Sequence, residues 1–461
     1  MSYLYELPTT GAVSFSDFCA DTSGKSYITH ISDATQTRAN LRAILKESKR
    51  TQDEEKDYLK LVKILEEYLP RLRGIMVCIA SGEIQLKSEP STPIIGAPRS
   101  TLMYSEVFSW RTTLSANLFN TSPRLSLPSL HADFAYSLLT YAFALSNLAR
   151  SKVSSLGTYE HDRAISDADR KAKDNQLNVA ADLLCRASGI FSYISESVLV
   201  DWENASSTAP TAFTRPPDLS TEVNNALAKS SLADAQTLAI RKLLSKSAYD
   251  SNVAPGPPLP KSHPSPALIS KLHLECASLY SSARTLAKTP SSAGKGRPKG
   301  SGSGDGEVST DLRRYLNEET VFHDALARKW LGVDAGENGG SDRGGDAVGF
   351  LTWAKKELEE LKGRKKDRVS DELDSVNVFL KHYKKLNDSL HFQPVPTQAD
   401  LQSRIPTGRL ALTAKTFVPP QPAFGPGSLE DIRRKAEELE LDDDSVANET
   451  QGSYAGAGSY F

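Results

Sequence analysis

Few residues of this chain are of a kind that could catalyse a reaction or hold a metal, and they are far apart. Its eight histidines and four cysteines form no HExxH motif and no CxxC pair, the spacings that bring two metal ligands to one site. A GxSxG turn, which would expose a serine nucleophile, is also missing from the sequence. His161, His273, His323 and His382 each stand alone on a predicted helix. No catalytic residue, cofactor site or metal site is therefore predicted, and the chain is expected not to be an enzyme.

The cysteines indicate a reducing compartment. Cys19, Cys78, Cys185 and Cys276 are distant from one another and lie mostly in apolar surroundings. We expect them to be buried free thiols, as is usual in the cytosol. The first residues lack the basic and apolar regions of a signal peptide, and the apolar run 134–149 is too short to span a bilayer. A soluble, cytoplasmic protein is predicted.

Two glycine-rich stretches, 290–306 and 332–345, invite comparison with phosphate-binding loops. Neither contains GxxxxGK[ST] or GxGxxG, and neither follows an apolar strand. Two further stretches, 205–218 and 254–265, are rich in proline. All four are predicted to be disordered surface insertions.

The net charge of −2 is unevenly distributed. Residues 428–461 contain nine acidic and three basic residues, a balance of −6, which leaves +4 for the rest of the chain. This near-neutral balance does not indicate a nucleic-acid-binding protein. We predict that 416–461 is an acidic, mostly disordered tail with a short helix at 428–441, which begins with a serine N-cap. Such a helix could fold back and compete with a partner.

Any binding site would be carried mostly by helices. A small β-hairpin or a pair of strands is predicted at 82–110, where apolar and polar residues alternate. The 3.6-residue apolar period predicts helices at 34–48, 53–79, 129–153, 158–203, 220–249, 266–288, 309–331 and 347–389. A helix over 158–203 is too long for an ordinary globular domain and indicates an elongated helical array. Within it, Phe191, Ile194 and Leu199 are expected to hold the array together, and small residues 187–189 would admit a neighbouring helix.

Several stretches, in this order and spacing, resemble the Bro domain, the scaffold of Alix and its relatives. They are "FSWRTTLS" (108–115), "YSLLTYAFALSNLA" (136–149), "SGIFSYISESVL" (188–199), "ADAQTLAIRK" (233–242) and "PALISKLHLECASLY" (266–280). The closing stretch "HFQPVPTQADLQSRIPTGR" (391–409) is similar to that of a fungal branch of the family that acts in ambient-pH signalling. The resemblance covers residues 1–415, which it implies are one curved, TPR-like helical solenoid.

The resemblance also implies a function. Bro domains are non-catalytic scaffolds that bind the C-terminal amphipathic helix of an ESCRT-III subunit. Members of the fungal branch recruit that machinery to pH-sensing complexes at the plasma membrane or endosomes. This recruitment promotes proteolytic activation of a zinc-finger transcription factor at alkaline pH. Peripheral membrane association would then come through partners.

The family's groove residues can be carried over onto two helices of this chain. They fall at Ala239, Ile240, Leu268, Lys271 and Leu272, with Phe191, Arg404 and Arg409 as secondary candidates. The usual aromatic is replaced by Ala239, for which Ile240 would substitute. Leu268 and Leu272 share a helix face, and Lys271 could pair with an acidic partner. The alternative for this leucine pair is a place in the core.

Two other function classes remain open at this point. One is a generic helical-repeat adaptor that binds an extended peptide, which a failure to bind any ESCRT-III subunit would favour. The other is a protein that binds anionic membrane surfaces through a basic face, since the body is mildly positive. Flotation with and without anionic lipid distinguishes it from a protein that binds only other proteins.

Overall fold

The structure is a computed structural model, and it describes residues 2–22, 24, 27–86, 108–115, 124–127, 129–162, 164–206, 215–250, 256–288, 308–361 and 366–437. The long helices are α2 (Ile28–Arg50), α3 (Tyr58–Ala80), α4 (Leu130–Leu156), α5 (Asp167–Tyr193), α7 (Thr221–Asp250), α8 (Pro266–Leu286), α9 (Thr310–Asn338), α10 (Gly344–Leu361) and α11 (Lys366–Leu386). The short ones are α1 (Phe15–Phe18), α6 (Leu199–Ser206), α12 (Gln398–Ser403) and α13 (429–437).

The long helices pack against one another in chain order. α2 contacts α3, and the series continues through α4, α5, α7, α8, α9 and α10 to α11. Local signals start several of them: Ser129, Ser166 and Ser309 each accept a backbone N–H of the first turn of α4, α5 and α9. Because each helix contacts mainly its predecessor and successor, the array is a solenoid. The predicted mostly helical solenoid is confirmed.

The predicted long helix is present as α5 and α6, joined by a π-helical turn at Ile194–Val198. By length and composition alone, Asp167–Ala205 is the one helix in the described ranges that could cross a membrane. Phe191, Ile194 and Leu199 are nevertheless fully buried, and the Phe191 ring lies 5.9 Å from that of Phe143. These residues hold the array together, as predicted. The secondary assignment of Phe191 to a partner contact is wrong, because α4 covers its ring.

Two strands lie in the predicted stretch 82–110, but they do not pair with each other as a hairpin would. β1 (Cys19–Asp21) pairs antiparallel with β2 (Ile84–Leu86), and β3 (Phe108–Arg111) pairs antiparallel with β4 (Arg124–Leu127). β2 and β3 lie at the two ends of the stretch 82–110, but the strand that pairs with each of them lies outside that stretch. Residues 87–107 lie outside the described residues.

Asp133 of α4 ties the N-terminal elements to the solenoid. Its fully buried carboxylate accepts hydrogen bonds from Arg38 Nη2 at 2.6 Å, Trp110 Nε1 at 2.6 Å and Tyr68 Oη at 2.9 Å. These donors come from α2, β3 and α3, so one buried charge satisfied by three donors holds four elements together. Trp110 belongs to the aromatic stretch "FSWR" noted in the sequence and stacks on Tyr136 at 5.3 Å.

One predicted insertion is wrong. Residues 332–345 are not disordered: α9 continues to Asn338 and α10 begins at Gly344. The glycines allow close packing, because a Cβ on Gly332 would overlap Leu351. In the other three, Ala205 and Ser206 end α6, and a buried 3₁₀ turn covers Pro217–Leu219. Residues 256–265 form turns, so the prediction for 254–265 is wrong over that part, whereas 207–214, 254–255 and 290–306 lie outside the described residues.

The chain after α12 continues past the predicted boundary at residue 415. An extended segment, residues 404–428, crosses the solenoid and is called the strap below. Phe424 of the strap is fully buried and stacks on His30 of α2 at 4.7 Å, and a Cβ on Gly74 of α3 would overlap its ring. The domain therefore extends at least to Phe424.

The predicted tail helix is present as α13. Ser428 Oγ accepts from Asp431 N at 3.2 Å, the N-cap expected from the sequence, and 438–461 lie outside the described residues. Leu429 and Ile432 are 68% and 50% exposed. Since α13 begins beside α2 and α3, it does not fold back onto the predicted groove on α7 and α8.

Candidate partner-binding site

The predicted groove residues lie on α7 and α8, which are antiparallel neighbours. Near one end of the pair Tyr280 Oη donates to Asp234 Oδ1 at 2.6 Å. Toward the other end, His273 and Thr237 both contact His323, at 2.9 Å and 3.2 Å. Ala239 and Ile240 follow Thr237 closely on α7, and Leu272 and Leu268 precede His273 on α8, so both groups lie toward this end of the pair. The five predicted residues are therefore placed on two neighbouring helices, toward the same end.

Their burial divides them into two groups. Ile240 and Leu272 are only 3% and 5% exposed and belong to the core cluster. Ala239, Leu268 and Lys271 are half-buried. The expectation that Leu268 and Leu272 together form an exposed pair is therefore wrong for Leu272. The reason is that α8 packs between α7 and α9, so that only a narrow strip of its surface faces solvent.

The solvent-accessible surface of α7 at this end includes more residues than the two carried over from the Bro-domain family. Ala239, Lys242, Leu243 and Lys246 follow one another at i, i+3, i+4 and i+7 and form one stripe of half-buried and exposed residues. Leu243 is 38% exposed. We call these four residues together with Leu268 and Lys271 the α7–α8 patch. Its middle is apolar and its rim carries three lysines. Leu243 was missed, although its spacing from Ala239 was visible in the sequence.

The strap bounds this patch on one side. The buried side chain of Gln236, one turn before Ala239, accepts from Ala411 N at 2.9 Å and Leu412 N at 3.0 Å and donates to Leu412 O at 2.5 Å. Arg409 N donates to Lys271 O at 3.0 Å. Main-chain groups that would otherwise lose their hydrogen bonds are thereby satisfied. The strap consequently has a fixed course across α8 and α7.

Beyond α7 the strap continues over α5 and α3. Lys415 N donates to Cys185 O at 3.1 Å, and a Cβ on Gly189 would overlap the Lys415 carbonyl oxygen. Gly189 is one of the small residues for which a close neighbour was predicted. The close neighbour at Gly189 is this extended segment, whereas α7 approaches at Ser188, whose hydroxyl donates to Ala228 O at 2.8 Å.

The two arginines predicted as secondary contacts have different surroundings. The Arg404 guanidinium is paired with the Asp346 carboxylate of α10. Arg409 is exposed, and its backbone is held against α8 near Lys271. Arg409 therefore lies at the edge of the α7–α8 patch, whereas Arg404 serves to hold the strap's beginning to α10.

Below the patch is a network of buried polar groups. Burial lowers the pKa of His273 to about 3 and holds the pKa of His323 well below its usual value. The two rings share a hydrogen bond between their Nδ1 atoms, which requires one to donate and one to accept. Both are consequently neutral at physiological pH. Within the described ranges, no group of three His, Cys, Asp or Glu residues could hold a metal ion.

All four cysteines lie within the described ranges as buried thiols that form no disulfide there, as predicted. Burial raises the pKa of the Cys185 thiol to about 11 and raises the pKa of Cys276 further. A thiol with a raised pKa carries little nucleophilic thiolate at neutral pH.

Comparison with known proteins supplies the family context. The model of the BRO1-like domain matches residues 104–432. A pH-response regulator protein palC from Cryptococcus neoformans is 35% identical over 100% of this chain and 99% of its own length. Proteins of the same name are 25% identical in Emericella nidulans, over 94% of this chain and 91% of theirs, and 23% identical in Yarrowia lipolytica, over the whole of both.

Solved structures show the same fold at low sequence identity. The structure titled "ALIX BRO1 CHMP4C complex" matches with a TM-score of 0.57 at 19% identity, over 92% of this chain and 98% of that one. Another, titled "Structure basis for endosomal targeting by the Bro1 domain", matches with a TM-score of 0.55 at 16% identity, over 90% and 93%. The family match ends at residue 432, which agrees with a strap that belongs to the domain.

Proposed function

This chain belongs to the BRO1-like domain family, and from that premise we propose that it is a non-catalytic adaptor of ambient-pH signalling that binds the C-terminal helix of an ESCRT-III subunit. The observation that carries the proposal is the α7–α8 patch, an apolar strip rimmed by lysines on the family's fold. Similar proteins support it: three relatives are called pH-response regulators, and one structural neighbour is a complex with CHMP4C.

The shape and charge of the patch suit an amphipathic helix with acidic flanks. Helix-in-groove recognition places apolar side chains at i, i+3, i+4 and i+7 of the partner against an apolar strip. Here Ala239, Leu243 and Leu268 would receive those side chains. The three lysines of the patch would face acidic residues at the rim, which steer association more than they add affinity.

At the level of the pathway, the adaptor would bring the ESCRT machinery to pH-sensing complexes at cortical sites of the plasma membrane or at endosomes. The consequence would be proteolytic activation of a zinc-finger transcription factor under alkaline conditions. The names of the three fungal relatives support the pH-signalling part of this proposal.

Binding of labelled ESCRT-III C-terminal helices, measured by fluorescence anisotropy with the full chain, tests the proposal. We expect one helix of the panel to bind, and Leu243→Asp and Leu268→Asp to weaken it at least tenfold, because a charge in the strip must lose its hydration when the helix docks. Val418→Asp is the matched control, since Val418 is exposed on the strap and outside the patch. If no helix of the panel binds, or if both patch variants bind like the control, the proposed function is wrong.

A further inference from the structure

A second surface, distant in sequence from the α7–α8 patch, lies where α11 ends. Leu390, Phe392 and Val395 are 67%, 73% and 53% exposed and lie within six residues of chain. We call these three residues the 390–395 tip. Single exposed apolar residues need no explanation, but a large aromatic and two aliphatic side chains exposed together mark an interaction site.

The backbone that carries the tip is held in one conformation. Phe392 has a φ of 51°, in the left-handed region that bulky residues rarely adopt, and its N–H donates to Asn387 O at 2.7 Å. The buried Asn387 side chain then binds Gln393 twice: its Nδ2 donates to Gln393 O at 2.9 Å, and its Oδ1 accepts from Gln393 N at 3.1 Å. An unusual conformation fixed by three hydrogen bonds is typical of a functional loop.

Two glycines of the stretch 332–345 make this conformation possible. A Cβ on Gly344 would overlap Asn387 Oδ1, and a Cβ on Gly345 would overlap the Pro394 carbonyl oxygen. Both glycines are buried in the first turn of α10. The glycine-rich stretch therefore lies directly against the backbone segment that carries the tip.

Three lysines precede the tip on the exposed face of α11. Lys381, Lys384 and Lys385 are exposed on the last turns of α11, because the opposite face buries Phe379 and Tyr383. The stretch 381–396 contains a single acidic residue, at position 388. The last of these lysines precedes the tip by five residues, about 8 Å along the helix axis. The lysine ammonium groups can thus contact lipid headgroups while the apolar side chains of the tip enter the acyl-chain region beneath them.

We propose that the 390–395 tip inserts into anionic membrane surfaces and that Lys381, Lys384 and Lys385 bind the lipid headgroups around it. The side chains protrude, whereas a site for a partner helix is a groove, and this difference favours a lipid surface over a protein. The inference is independent of the ESCRT-III proposal, because it uses α11 and the loop after it and no residue of the α7–α8 patch. It would give the adaptor a direct contact with the membrane to which its partners bring it.

Flotation of the full chain with vesicles tests the proposal. We expect binding to vesicles of phosphatidylcholine with phosphatidylserine, little binding to phosphatidylcholine alone, and loss of binding at high salt. The double variant Leu390→Ser with Phe392→Ser should bind at least tenfold more weakly. Lys384→Gln with Lys385→Gln should lower binding about fivefold for each lysine.

Matched controls come from exposed residues elsewhere. Val418→Ser removes an exposed apolar side chain from the strap, and Lys46→Gln with Lys49→Gln removes two exposed lysines from α2. Both should bind vesicles like the wild type, and all variants should keep its melting temperature. The tip variants should also keep the wild-type affinity for the ESCRT-III helix, which separates this proposal from the previous one.

The proposal would be overturned if the wild type did not bind anionic vesicles, or if the tip variants floated with vesicles as the controls do. Capture of an acidic peptide in place of lipid would overturn it as well.

Discussion

Among individual residues, two buried carboxyl groups have different surroundings and different roles. Asp133 has a permanent cation beside it, Arg38, together with two neutral donors. Asp218 is equally buried and accepts from the backbone N–H groups of Thr113 and Leu114 at 2.8 Å and 3.3 Å. Burial raises the pKa of Asp218 to about 6 from the usual 3.8 despite these bonds. Its protonated form is thus favoured by folding.

Replacing Asp218 with Asn should therefore change how stability depends on pH. The folded state binds the Asp218 proton more tightly than the unfolded state, so this group's contribution to stability is largest below pH 3.8 and declines as pH rises through about 6. The decline is about 3 kcal/mol. An amide at this position would keep an acceptor oxygen without the charge. Relative to the wild type, Asp218→Asn should gain stability between about pH 4 and pH 7 in urea unfolding. A difference that does not vary with pH would contradict this reasoning.

Leu272 and Leu243 provide a second comparison between residues. Leu272 is buried between helices, whereas Leu243 is 38% exposed on the patch. An unpaired charge at a buried position costs several kcal/mol, a large part of the stability of a domain. Leu272→Asp should consequently unfold the protein or lower its melting temperature sharply, while Leu243→Asp should melt like the wild type and lose partner binding. Circular dichroism melts of both variants measure this, and an unchanged melt for Leu272→Asp would return that residue to the binding surface.

Among the elements, the strap is the feature that connects distant helices. It contacts α8, α7, α5, α3 and α2 in turn, mainly through its backbone. It also forms one wall of a cavity of about 460 Å³ above α3, α4 and α5, lined by Glu66, Tyr141, Arg186 and strap residues 415–418. Its course past α5 depends on Gly189.

Substituting Gly189 with Ala should lift the strap from α5. The new methyl group would overlap the Lys415 carbonyl oxygen, and overpacking of this kind costs about 1–3 kcal/mol. We expect faster trypsin cleavage after Lys415 and faster amide exchange at 409–424. Val179→Ala on the exposed face of the same helix is the control and should leave both rates unchanged. Equal rates in Gly189→Ala and the control would show that the strap does not depend on this contact.

Across the whole molecule, the solenoid is closed at its N-terminal end by a segment from its C-terminal end. Phe424 packs between α2 and α3, and Ala423 N donates to Pro70 O at 2.9 Å. Residues some 350 positions apart in the chain thus form one core. Cutting the chain at the boundary predicted from sequence would remove this contact.

A chain that ends at residue 415 should therefore be less stable than one that ends at residue 437. Loss of a buried phenylalanine alone costs about 3–5 kcal/mol. The longer chain retains every contact described for the strap and should melt like the full-length protein. Phe424→Ala in the full chain should reproduce most of the loss. Equal melting temperatures for the two truncated chains would mean that the strap's end contributes nothing to the core.

Local sequence patterns were enough to predict the elements and the family. Apolar spacing is a local signal, so the bounds of α4, α7 and α8 could be predicted within about three residues, whereas α5 begins nine residues after its predicted start. The buried cysteines followed from apolar surroundings. The resemblance to the Bro domain rested on the order of short stretches, and the family match confirms it.

Which residues of these elements are accessible depends on tertiary packing. Leu268 and Leu272 have the same spacing pattern, but the packing of α8 between α7 and α9 covers one and leaves the other partly open. The glycines at 332–345 indicate a disordered insertion when considered alone, because the contact partners of Gly344 and Gly345, Asn387 and Pro394, lie more than 40 residues further on. The exposure of a side chain depends on the residues packed against it, and here those residues come from distant parts of the chain. For that reason the groove residues, the strap and the 390–395 tip could not be assigned from local pattern alone.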